Sequence, residues 1–118
     1  MKYTASEIKN ISSATDNARA TVTDFCTEAI DEARERLKLV NSIANLTSIL
    51  DARQLAIAAD ARAGIRHIHA AILDVHAYHD KPTASMSGRF DEALKEIGEM
   101  KEKVEKLYRW LDSLYSHD

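Results

Sequence analysis

The sequence predicts an all-α fold, an elongated antiparallel three-helix bundle that self-associates, and three observations carry that expectation. No glycine occurs between Met1 and Ala63, Pro82 is the sole proline in 118 residues, and apolar residues recur at steps of three and four along most of the chain. Glycine and proline are the residues that cost a helix interior most. Their scarcity leaves little to oppose helix, and the spacing selects one apolar face per helix. The length corresponds to one domain, residues 1–118. Three helices in a small chain bury surface inefficiently, so a second copy is expected to complete the burial.

The first helix is expected over about residues 5–45. Thr4 and Glu7 have capping-box spacing, in which the hydroxyl and the carboxylate each satisfy a backbone N–H at the helix start. Apolar or small residues follow at Ile8, Ile11, Ala14, Ala18, Val22, Phe25, Ala29, Ala33, Leu37, Val40 and Ala44. Ser12, Ser13, Thr15, Asp16 and Asn17 interrupt the early part, because such side chains compete for backbone hydrogen bonds. Ile8, Ile11, Ala18, Val22 and Phe25 are the candidates for a self-association seam. A turn is expected near Asn45, with Ser48 and Asp51 at capping spacing. Continuous helix through this point is the alternative, and would make the first helix overhang the other two.

The second helix is expected over about 49–78, with Ile57, Ala61, Ile65, Ile68, Ile72 and Val75 along one stripe and Leu55, Ala59 and Leu73 beside it. Gly64 marks a place where a neighbour can approach closely. The linker is residues 79–87, where Pro82 stops the helix and Ser85 or Ser87 can cap the next. The third helix, about 87–115, carries Phe90, Leu94, Ile97, Val104, Leu107, Leu111 and Leu114 inward. Asp91 and Lys95, Glu99 and Lys103, and Glu102 and Lys106 are spaced for ion pairs on its outer side.

Charge and cysteine bound the function. Sixteen Lys and Arg against nineteen Asp and Glu give a formal charge of −3, a balance unlike the basic footprint that neutralises nucleic-acid phosphates. Cys26 stands among Val22, Phe25, Ala29 and Ile30 and is expected to be a small buried hydrophobe. The N-terminal residues lack a signal-peptide run and no stretch has the roughly 18 apolar residues of a membrane span. A cytoplasmic location is expected, without nucleic acid or membrane as partner.

Histidine is the strongest chemical signal, since four of the five lie between residues 67 and 79. His69 and His76 share a helix face but stand roughly 10 Å apart along the axis, too far for one ion. No metal site and no cofactor are expected. Arg62 and His67 have the Arg-x4-His spacing that resembles the active motif of HEPN ribonucleases, which are small helical dimers. The resemblance covers only these residues, with Ala63 where that family usually has a polar one, and implies RNA cleavage in a cleft at a dimer axis. Tyr108 and Asp112 resemble the Tyr-x3-Asp tail signal of helical-hairpin proteins exported by type VII secretion, without that family's Trp-x-Gly turn.

Trp110 lies off the main stripe of the third helix, and Tyr108, Leu114 and Tyr115 stand near it. Tryptophan and tyrosine anchor interfaces because they bury much area with few rotamers. The expected function is a non-enzymatic protein-protein interaction module: an inhibitor, adaptor or accessory factor, of a kind found among phage and plasmid proteins. It would act by occluding or bridging a partner through Trp110, Tyr108, Tyr115 and Leu114, most simply as a homodimer. The alternatives are a dimeric HEPN-like or metal-dependent enzyme built from Arg62, His67, His69 and His76, or a structural assembly subunit.

Overall fold

The long apolar stripes do form helices, and three of them pack on one another. The computed structural model describes residues 4, 17–46, 50–79 and 84–116. They contain α1 (Asn17–Leu46), α2 (Ala52–Ala77) and α3 (Ala84–Ser116), each in contact with both others, and no strand among the described residues. At about 1.5 Å per residue the helices are roughly 45, 39 and 50 Å long. They lie along the major axis of a body measuring 56 × 21 × 17 Å. Among the described residues no helix is long and apolar enough to cross a membrane.

Cross-helix contacts give the register. The Arg34 guanidinium of α1 meets Glu96 of α3, Arg36 of α1 lies against Gly64 of α2, and Arg62 of α2 pairs with Glu105 of α3. Phe90 near the start of α3 touches His76 at the end of α2. Thus α2 runs against both neighbours, while α1 and α3 run in the same direction.

α1 ends at Leu46, one residue beyond the expected break at Asn45. The cap of α2 is Asp51, three residues after the expected Ser48, which lies outside the described residues. Asp51 has extended backbone and its carboxylate accepts from the Gln54 N–H at 2.9 Å, while the Gln54 side-chain oxygen accepts from the Asp51 N–H at 3.1 Å. Glutamine has the length to reach back, which the shorter Asp51 would lack as the partner of Ser48. α2 stops at Ala77, where the Tyr78 N–H still bonds to the Asp74 carbonyl at 3.3 Å. α3 begins at Ala84, so Ser85 and Ser87 lie inside its first turns and do not cap it. Thr4 is described, but Glu7 and Pro82, with the roles expected of them, lie outside the described residues.

The core runs the length of the bundle and holds no buried polar or charged residue among those described. Phe25, Val40, Ile65, Ile72, Phe90, Ile97, Val104 and Leu111 are among its largest fully buried members, and Cys26 is buried with them at 4% exposure. Burial pushes the Cys26 thiol up to about 11, partly opposed by nearby Arg89, so it stays protonated at neutral pH. On α2 the core position expected of Ile57 belongs to Ala58; Ile57 is 38% exposed. Eight residues separate Ile57 from Ile65, which turns it about 80° away, to the edge of the buried stripe.

Val22 and Phe25, candidates for a seam with a second copy, are 0% and 1% exposed in the chain's own core. Aliphatic and aromatic residues on one face are used first by the neighbouring helices of the same chain, so these two offer no surface to a second copy. Ile8 and Ile11, and the side chain of Ala18, lie outside the described residues. The small residue Gly64 does admit a close neighbour, and that neighbour is the Arg36 guanidinium: a Cβ at position 64 would stand 2.5 to 2.8 Å from its atoms.

A candidate protein-binding end

Cutting the bundle level with Arg34, Arg66 and Glu99 separates two chemically different halves. One contains residues 17–33, 67–79 and 84–99, with nine carboxylates against Arg19, Arg89 and Lys95. The other contains 34–46, 50–66 and 100–115, with ten Lys and Arg against six carboxylates. Among the described residues a mild overall charge therefore conceals one acidic end and one basic end. Apolar exposure is divided the same way. Leu39, Leu46, Ile57, Trp110, Leu114 and Tyr115 are exposed in the basic half, against Leu73 and Tyr78 in the acidic half.

Behind the basic end stands an ion cluster that clamps α2 to α3. Arg62 Nε donates to Glu105 Oε2 at 2.9 Å, and Arg66 Nε lies 3.6 Å from Glu105 Oε1. Arg109 Nε donates to the Glu105 carbonyl at 3.3 Å. The Arg62 guanidinium also sits 4.8 Å from the centre of the Tyr108 ring, a favourable placement for a cation against aromatic π density. The Arg62 hydrogen bond, with further attraction from Arg66 and Arg109, holds the Glu105 carboxyl below its ordinary range despite some desolvation.

The four residues expected at a partner surface separate into two groups. Trp110, Leu114 and Tyr115 are 45%, 39% and 39% exposed. Tyr108 is half-buried, packs against the core and serves the clamp. Asn41 and Lys103 line one groove between α1 and α3, which places Leu46 roughly level with Tyr108. Leu114 continues past the end of α1, and this explains why a residue on the apolar stripe remains exposed.

The residues of the alternative enzyme readings are not brought together. Arg62 faces Glu105 and Tyr108 of α3, whereas His67 lines a groove on the other side of α2 with Glu32 and Arg36 of α1. Five residues turn a helix by about 140°, so within one copy the two side chains leave α2 on different sides. His69 is half-buried near Lys101, and burial followed by that charge lowers its pKa. His76 lies 4.8 Å and His79 5.7 Å from the Phe90 ring, centre to centre. Burial, with the adjacent His76, lowers the pKa of His79. Among the described residues no three of His, Cys, Asp and Glu converge as a metal ion would require.

Sequence reasoning missed the exposure of Leu39, Leu46 and Ile57, and the division of charge between the ends. The charges were visible in the chain, but only the up-down-up order brings residues 34–46, 50–66 and 100–115 to one end. No family model, curated protein or solved structure matches this chain.

Proposed function

We propose that the chain is a non-enzymatic protein-interaction module that docks another protein through the end bearing Trp110, Leu114 and Tyr115, by occlusion or bridging. One observation carries this reading: among the described residues, six of the eight exposed large hydrophobics belong to the basic half of the bundle. Exposed large apolar side chains interspersed with charge supply the kind of surface that a protein contact buries. Large aromatics in such a place supply most of the binding energy. An inhibitor, adaptor or accessory factor of the cytoplasm fits this chemistry, and a homodimer is the simplest form in which it acts. The HEPN-like alternative loses ground because Arg62 is engaged by Glu105 while His67 faces α1.

Trp110 is the only tryptophan and therefore reports on its own surroundings. Docking is expected to shift its emission to the blue with a parallel rise in mass by light scattering. Trp110→Ala is expected to keep its helicity and lose the association. A folded Trp110→Ala protein that associates like the parent would overturn the reading.

A further inference from the structure

One face of α3 carries Gly88, Glu92, Glu96, Glu99, Lys103, Lys106, Trp110 and Leu114 at steps of three and four. At 100° per residue these positions fall within about 80° of one another. Their chemistry is ordered: three carboxylates precede two ammonium groups and two large apolar side chains. It is also antisymmetric about position 101. Glu99 mirrors Lys103, Glu96 mirrors Lys106, Glu92 mirrors Trp110, and Gly88 mirrors Leu114.

We propose that α3 pairs antiparallel with α3 of a second copy, about a two-fold axis level with Lys101. This rests on the protein-binding reading and names the occupant. In an isologous contact each residue meets its mirror position from the other copy. Glu99 then meets Lys103 and Glu96 meets Lys106, each twice. Parallel pairing in register would set like charges together.

The local structure suits this arrangement. Glu99 and Lys103, though four residues apart, make no ion pair with each other or with any other described residue, whereas Glu102 and Lys106 do, at 4.0 Å. Glu96 is held by Arg34, so Lys106 of the second copy reaches a carboxylate already oriented by a first cation. Gly88 has nothing within 4 Å of where a Cβ would stand, which leaves room for a large Leu114 side chain. Beside Glu92 a groove of about 300 Å³ between α1 and α3, floored by Cys26, Ile30 and Ala93, is open to Trp110 of the second copy. Helices paired in this way lie about 8–10 Å apart.

The test is a charge exchange read by light scattering or sedimentation over a concentration series. Lys103→Glu alone puts two carboxylates in apposition at both symmetry-related contacts, and Glu99→Lys alone does the same with ammonium groups. Each variant, with helicity checked against the parent, is expected to dimerise about tenfold more weakly. An equimolar mixture is expected to recover most of the parent affinity, because its heterodimer restores opposite charges at both contacts. A monomeric parent, indifferent single variants, or a mixture no tighter than its components would overturn the pairing. A dimer that ignores the exchanges but is lost in Trp110→Ala overturns this pairing alone; one indifferent to all three substitutions overturns the protein-binding reading as well.

Discussion

The acidic half of the bundle and the basic half are built from the same three helices, yet they finish their surfaces differently. In the acidic half Phe25 and Phe90 fill the axis, and among the described residues only Leu73 and Tyr78 remain as exposed large hydrophobics. In the basic half Val40, Ile43, Ile65, Met100, Val104 and Leu111 fill the axis together with alanines at 44, 58 and 61, no described aromatic ring is fully buried, and six described large apolar side chains are exposed. Phe25 and Phe90 bury their rings in the one half, Trp110 and Tyr115 expose theirs in the other, and the proposed contact surface draws on the latter two.

The sharpest way to break this comparison is to empty the acidic half. Phe90→Ala removes a fully buried ring and is expected to cost about 3–5 kcal/mol in urea unfolding, as large core truncations do. Trp110→Ala in the other half is expected to stay within about 0.5–1 kcal/mol of the parent. Equal losses would abolish the distinction between the halves.

Next in size is the clamp. Glu105→Gln keeps the shape of the side chain but removes the charge that Arg62, Arg66 and Arg109 surround. A loss of about 1–2 kcal/mol is expected, allowing for its partial exposure. Since the folded-state pKa of Glu105 is depressed, its contribution is present above the ordinary carboxylate value near 4.5 and fades as pH falls through the lowered one. Glu105→Gln should therefore flatten the acid limb of the stability profile.

A smaller effect belongs to the acidic half. His69 and His79 have depressed pKa values, so the unfolded chain binds protons more readily than the folded one. Stability from these groups is fully present above the ordinary value near 6.5 and declines as pH falls through their lowered values. Thermal melts from pH 8 to pH 5 should show that decline, and His79→Gln should reduce it. The smallest expected change is at Gly64. Alanine there gains up to about 1 kcal/mol of helix propensity but must displace the Arg36 guanidinium, so the net change should be within about 0.5 kcal/mol. In an Arg36→Ala background more of the gain should appear.

The three helices were legible because a period near 3.6 is a local property, recorded within each segment. The helix ends were less so. Ser48 and Asp51 both begin cap-like patterns, and only the reciprocal Gln54 bond selects the second. Ile57 and Ala58 are adjacent, and hydrophobicity alone favours the larger one although geometry buries the smaller. Trp110 was legible as an exposed residue from its displacement off the stripe. The pairing of Arg62 with Glu105 was not, because the two lie 43 positions apart and both ends of that bond have closer partners of opposite charge in sequence.

The bond between Arg34 and Glu96 spans 62 residues, the greatest separation of any ion pair described. Because α1 and α3 run in the same direction, nothing brings them together until α2 has folded against at least one of them. Closing that long loop is entropically the costliest step in forming the bundle. The α1–α3 groove is therefore the seam that depends most on the rest of the bundle, because neither of its walls is sequence-adjacent to the other and both are positioned by α2.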